Sequence, residues 1–308
     1  MHFILTTDWH LRERTPQAYI GDYFSDQEDA VDFVLQKAED YDAPILNAGD
    51  VFHTTPSTHF IVQWIISKLK ERKVEMLCVF GQHDLLHHSL KSTDRTGLAV
   101  LSAAGAVELL DADYYSFYPS SNKEVQLYGV NWSEEIPRLA RPKKNQKTNA
   151  RRILVAHTMV ADEKLWSSQF DYTYGKAMLR KLQEYDLIVT GDNHKRFYFS
   201  DGNRYLVNCG SLMRTTAAQF AHKPCIGLYD TETRTLEMVD VPCPPADEVL
   251  SREHLDEVEE RNERLEAFIT SLKDDYEIDL DFEGNLEKFF SANEVREEVQ
   301  ELIWGNMK

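Results

Sequence analysis

Six short apolar runs, each closed by a glycine, an acid, a histidine or a polar turn, most restrict what this 308-residue chain can fold into. They are HFILTTD, PILNAGD, VEMLCVFG, VQLYGVNW, RILVAHT and DLIVTGD. Runs this short, rich in Val, Ile, Leu and Phe, read as buried strands. Segments with helical spacing lie between several of them. SDQEDAVDFVLQKAEDYD places Ala30, Val31, Phe33, Val34 and Ala38 on one face, behind Ser25 as the expected cap and Glu28 three residues on. STHFIVQWIISKLKERK opens at Ser57 and ends in Lys and Arg, as the helix dipole favours. KAMLRKLQEY is a third helical stretch. Strands alternating with helices imply an α/β domain with a largely parallel sheet. RFYFSDGNRYLVNCG, with Asp201-Gly202 at its turn, and CIGLYDTETRTLEMVDV each read as a hairpin, so the second half adds antiparallel strands.

Pro242, Pro244 and Pro245 mark a boundary between residues 1–245 and an acidic, helical extension over 246–308. The net charge of −18 is uneven: the extension holds 20 acids against 7 bases, and the first 245 residues 32 against 27. The overall sign therefore says little about the surface of the larger part. No apolar run approaches the roughly 18 residues of a membrane span. The start MHFILTTDWH turns acidic too early for a secretory leader, so the expected location is the cytoplasm, or the host cytoplasm for a phage-encoded chain. Cys78, Cys209, Cys225 and Cys243 lack paired spacing and read as reduced, mostly buried thiols.

In open α/β sheets ligands bind beyond the carboxyl ends of the strands. Those ends carry Asp8 and His10, then Asp50, then Gln82, His83 and Asp84, then His157, and last Asp192, Asn193 and His194. Mixed imidazole and carboxylate suits Mn, Fe or Zn, and in oxygen-rich sites Mg. Two such ions about 3.5–4 Å apart, sharing a carboxylate, are the usual arrangement for cleaving phosphate esters.

The series DWH, GDVFH, GQHD, AH and GDNH resembles the motif series of the calcineurin-like metallophosphoesterases. GDVFHTTPS and NCGSLMRTT resemble segments of the SbcD-type DNA repair nuclease branch, including its phage-encoded recombination nucleases. The resemblance covers residues 1 to about 245. It implies a four-layered α/β/β/α sandwich and two divalent ions, Mn or else Mg. Asp8, His10 and His194 would bind the first ion, Asp50 would bridge, and His157 would bind the second. His83 would be the catalytic histidine beside the scissile phosphate, oriented by Asp84. Gln82 stands where the family has Asn, and Asp192 where it has His. Both fall on the second metal, and the oxygen donors they supply favour Mn or Mg.

The implied function is hydrolysis of DNA phosphodiester bonds, by an exonuclease and endonuclease acting in recombination or end processing. The implied partners are DNA, an SbcC-like SMC-type ATPase and a second copy of the chain, paired through residues 57–70 and 84–104. A phosphatase or cyclic-nucleotide phosphodiesterase on the same fold, and a non-catalytic recombination adaptor, are the alternatives. His53, Lys195, Arg196 and Arg214 are candidate substrate contacts. The basic stretch Arg138–Arg152, with seven bases and no acid, is a further one or else a solvated loop. In the extension, Val295, Val299, Leu302 and Ile303 have the spacing of a helix that docks in a groove or packs back on its own domain.

Overall fold

The computed structural model describes residues 1–113, 115–117, 124–139, 150–163 and 172–251, with scattered positions between 286 and 304. In chain order the first elements are β1 (His2–Thr6), α1 (Tyr23–Asp40), β2 (Ile45–Asn47), α2 (His59–Arg72), β3 (Met76–Cys78), α3 (Gly97–Ala103) and β4 (Glu108–Leu109). Next come β5 (Tyr115–Phe117), β6 (Val125–Val130), β7 (Arg151–Ala156), β8 (Val160–Ala161), β9 (Thr173–Tyr174), α4 (Gly175–Lys181) and β10 (Leu187–Thr190). Two hairpins follow, β11 (Phe197–Asp201) with β12 (Arg204–Asn208) and β13 (Cys225–Asp230) with β14 (Thr235–Asp240), before the short α5 (Ala246–Val249).

Twelve of the strands form two six-stranded sheets, ordered β14-β13-β1-β2-β3-β4 and β11-β12-β10-β7-β6-β5, and β8 pairs with β9 in a short parallel sheet of its own. In the first, β1 to β4 run parallel and the β13–β14 hairpin adds antiparallel strands beside β1. In the second, β6, β7, β10 and β12 are parallel between antiparallel edges β5 and β11.

Strand side chains alternate faces, and here both faces are apolar. Phe3, Leu5, Leu46 and Leu77 of the first sheet meet Leu127, Ile153, Val155, Leu187 and Val189 of the second in one buried cluster. Ile4, Ile45 and Met76 point the other way, onto Val31, Val34 and Leu35 of α1 and Ile61, Ile65 and Leu69 of α2. Leu154 and Ile188 pack on Met178 and Leu179 of α4. Helices, sheet, sheet and helix are thus the four layers expected, and the central parallel strands β1, β2, β7 and β10 are covered on both sides.

Two local expectations shift. Helix α1 begins at Tyr23 and is capped by Asp22, whose carboxylate accepts from the Ser25 amide; Ser25 lies inside the first turn. Helix α2 is capped by Thr58 rather than Ser57. Asp and Thr both supply an acceptor at the cap, so a neighbour took the role. Both hairpins form as expected. Leu302 and Ile303, and the middle of the basic stretch over 140–149, lie outside the described residues. Its described flanks are tied down: Arg138 donates to Lys181 O, and Arg151 to Thr231 O. Among the described residues no helix is long and apolar enough to cross a membrane.

Candidate metal centre

Past their last paired residues, β1 and β2 keep bonding to each other. Ala48 N donates to Thr6 O, Asp8 N to Gly49 O, His10 N to Asp50 O and Leu11 N to Val51 O, all at 2.9–3.0 Å. This prolonged ladder sets Asp8 and His10 alongside Asp50. Asp8, His10 and Asp50 all have left-handed backbones, with φ of 48°, 46° and 53°; Asp192, across the gap, has 78°. Non-glycine residues held there carry strain that persists only where the surroundings impose it, and such strain gathers at functional sites.

The glycines before the ligands serve close approach. A Cβ on Gly81 would fall on the Asp50 carboxylate. A Cβ on Gly191 would strike Ala48 O and Thr7 Oγ1 and sit 2.8 Å from His157 Nδ1. Both sheets are thereby brought to one edge. Asp8, His10 and Asp50 leave the first sheet, Gln82 and His83 sit on the 3₁₀ turn after β3, and His157, Asp192 and His194 leave the second sheet.

All seven expected ligands meet there. His10 Nε2 lies 3.0 Å from His194 Nε2, and each is 3.9 Å from Asp8 Oδ1. Asp50 Oδ2 stands 3.7 Å from His10 Nε2 and 3.5 Å from His157 Nε2, so Asp50 lies between the two groups as a bridging ligand must. Gln82 links the second group: its Oε1 is 2.6 Å from His157 Nε2 and its Nε2 donates to Asp192 Oδ1 at 2.7 Å. Asp8, His10 and His194 form one set with ligand atoms close enough for an ion, and Asp8, Asp50 and His157 another.

Three features fit divalent cations. Asp50 Oδ2 is buried without a hydrogen-bond partner, and a buried carboxylate oxygen left so is costly. His157 donates from Nδ1 to Ala48 O at 2.6 Å, which leaves Nε2 as the ligand nitrogen. Nε2 then faces Gln82 Oε1, and two acceptors that close repel unless a proton or a shared cation intervenes. The electrostatics agree. Burial, then Asp84 and Asp8, push the Asp50 carboxyl well above the usual range. Burial raises Asp8 to about 6. Burial and the neighbouring imidazoles hold His10 well below its ordinary value. Burial also lowers His194. Crowded carboxylates avoid charge, imidazoles stay bare, and bound cations favour ionised carboxylates with bare imidazoles.

His83 sits beside this centre, its ring centroid 4.9 Å from that of His10 and stacked on His53 at 5.7 Å. Its amide donates to Asp50 Oδ1 and its Nδ1 to the carbonyl oxygen of His53 at 3.0 Å. Burial, then His88, lowers it to about 4. Asp84 does not orient this ring, contrary to expectation. It is buried, and its carboxylate accepts from the amides of Val51, Phe52 and Gly81, which ties the β2 exit to the β3 turn. The carbonyl that holds His83 belongs to His53, a residue read from the sequence as a substrate contact.

The expected phosphate-binding cations are otherwise engaged. Lys195 pairs with Glu163 at 2.8 Å and Asp162 at 3.1 Å. Arg196 pairs with Asp240 and donates to Lys223 O. Arg214 is buried, and donates to His222 O and Pro244 O. Asn193 is structural: its Nδ2 donates to Val160 O and its Oδ1 accepts from Lys195 N. The sequence reading passed over Arg12, two residues beyond His10, whose charge helps keep His10, His53 and His194 neutral. A base directly after the DWH ligands was the available signal.

Residues 1–205 match the family model of the calcineurin-like phosphoesterases. Three solved structures align over most of the chain. A novel archaeal phosphodiesterase has a TM-score of 0.40 and 11% identity, covering 78% of this chain and 99% of that one. A Staphylococcus aureus protein described as a 5'-nucleotidase, in complex with alpha-ketoglutarate, has 0.47 and 14%, covering 79% and 53%. The Haemophilus influenzae NAD nucleotidase NadN has 0.43 and 13%, covering 78% and 55%. The chain thus spans about half the length of the latter two. No curated protein matches it.

Proposed function

The chain belongs to the calcineurin-like phosphoesterases, and from that premise we propose that it is a metal-dependent DNA phosphodiesterase. The observation that carries the metal-dependent hydrolysis is Asp50 Oδ2, buried, unpartnered, and set between His10 and His157. Asp8, His10, Asp50 and His194 would hold one ion, and Asp50, Gln82, His157 and Asp192 the other. When bound, such ions supply Lewis acidity to a phosphoryl group and suit Mn or Mg in this oxygen-rich set.

The chain's own groups do the rest. The ladder between the β1 and β2 exits holds Asp8 and Asp50 in register, so the ligands are placed before substrate arrives. His53 O fixes the His83 ring through Nδ1, which leaves Nε2 to exchange a proton. A phosphate anion against Nε2 favours the imidazolium and opposes the burial that lowers His83. The proton then passes from Nε2 to the leaving oxygen.

DNA as the substrate is supported by the GDVFHTTPS and NCGSLMRTT segments. The first places His53 against His83, and the second folds back on the ligands, with Leu212 N donating to Asp8 O and Ser211 N to His194 O. The same reading gives the chain an SMC-type ATPase partner, received by the acidic extension, and a second copy as dimer mate.

End-labelled single- and double-stranded DNA, incubated with Mn, Mg or chelator, tests it beside His83→Ala. Cleavage that needs metal and falls at least 100-fold in His83→Ala is expected for a lost proton-transfer group. Metal binding with hydrolysis of a chromogenic diester but not of DNA would move the substrate to a smaller phosphoester.

A further inference from the structure

Arg12 is held in place more deliberately than a surface arginine requires. Gln27, fully buried in α1, spends its whole amide on the Arg12 backbone: Arg12 N donates to Oε1 at 3.0 Å, and Nε2 donates to Arg12 O at 3.1 Å. The guanidinium carbon lies 5.9 Å from the centroid of the buried Tyr23 ring, so the side chain lies across an aromatic face. Its Nε is buried with no hydrogen-bond partner. Among the described residues no carboxylate pairs with it. Burial accordingly holds the guanidinium below its ordinary value.

A half-buried arginine without an anion is costly, because its buried Nε is left an unsatisfied donor beside an uncompensated charge. Structural arginines in this protein avoid that state. Arg196 has Asp240, and Arg214 has two carbonyls. Arg12 lies two residues beyond His10, directly after Leu11, whose amide donates to Val51 O on the ladder that aligns Asp8 and His10 with Asp50. The fold thus keeps a cation next to the metal ligands and supplies no counter-charge.

We propose that Arg12 binds a phosphate oxygen of the substrate and supplies the cationic contact there, Lys195, Arg196 and Arg214 being engaged elsewhere. This rests on the phosphoesterase reading above. Phosphate oxygens match the guanidinium fork, and Tyr23 with Gln27 pre-orients it so that little side-chain freedom is lost on binding. The contact is to a non-bridging oxygen, so it does not depend on what the phosphate esterifies. Arg12 forms or breaks no bond in the reaction.

The test uses the full chain loaded with Mn and takes inorganic phosphate as probe, its affinity measured by calorimetry. Bound Mn is counted by elemental analysis. Arg12→Met, which keeps most of the stem over Tyr23, is expected to weaken phosphate about tenfold or more, as loss of a charge-assisted hydrogen bond does, with Mn content unchanged. Arg12→Lys should fall between. In turnover of a chromogenic diester, KM should rise in Arg12→Met more than kcat falls. An unchanged phosphate affinity with both ions bound overturns the proposal. So does parallel loss of Mn and phosphate, which would make Arg12 a support for the ligands, and so does a wild type that binds no phosphate. If the wild type cleaves no phosphoester yet phosphate affinity still depends on Arg12, the functional reading fails and the Arg12 assignment stands.

Discussion

His157 Nδ1, on the second sheet, donates to the carbonyl oxygen of Ala48, on the first, across a gap of 2.6 Å. One bond therefore ties the two sheets at the site and fixes which imidazole nitrogen is free for a metal. His157→Ala removes both functions. It should lose the second ion and at least 100-fold in turnover, and destabilise the fold by about 1–3 kcal/mol through the stranded Ala48 carbonyl. Metal counting and urea titration read the two losses separately.

Asp192 is the residue that departs furthest from the family pattern, and its left-handed backbone (φ 78°) is one Asn also tolerates. Asp192→Asn should therefore keep the fold while weakening the second ion about tenfold or more, through loss of an anionic donor. Calorimetric titration with Mn checks it. Unchanged affinity in both Asp192→Asn and Asp192→His would remove Asp192 from the ligands.

Gly191 is hemmed in by Ala48 O, Thr7 Oγ1 and His157 Nδ1. An added methyl has nowhere to go without pushing the β10 exit off the β2 exit. Gly191→Ala should cost about 1–3 kcal/mol, as overpacking does, and impair metal binding with it. Gly202, with no atom near its own missing Cβ, is a turn glycine on the β11–β12 hairpin. Its substitution should leave metal binding intact, and a pair of melting curves with and without Mn separates the two cases.

Arg214 anchors backbone, since its guanidinium bonds to His222 O and Pro244 O. Arg214→Met should lower stability by about 2–3 kcal/mol, because charge-assisted bonds are lost and carbonyls stranded. KM for a phosphodiester should stay within twofold of wild type. A large KM rise with unchanged stability would return Arg214 to the substrate site.

What could be read in the sequence was what depends on near neighbours in the chain. Leu187 to Thr190 is apolar, so it is a strand; Asp192 and His194 follow at once, so they sit at its carboxyl end. Asp8, His10, Asp50, Gln82, His157, Asp192 and His194 could be put at strand exits in this way, because a strand's exit needs no knowledge of distant partners. It failed where function depends on partners far along the chain. Lys195 meets Glu163, Arg196 meets Asp240, and Arg214 meets Pro244, pairings set by the packing of the two sheets and the closing hairpin. Arg12 follows the DWH ligands closely in the chain, but the absence of a paired carboxylate among the described residues shows only in the fold. Asp84 was given the wrong contact because three amides from two turns converge on it only once folded.

The division of ligands between the sheets has a consequence for how the protein is made. Asp8, His10, Asp50 and Gln82 are synthesised within the first third of the chain, and His157, Asp192 and His194 only later. A chain still on the ribosome with β1 to β4 complete holds a half-set of ligands, most of them acidic or amide, and no closed site. The set of Asp8, Asp50 and His157 can close once β7 is in place, and that of Asp8, His10 and His194 only after β10 is inserted beside it. An ion held by the later set would thus be loaded late in biogenesis, and a chain cut short before residue 194 would be released with that set incomplete.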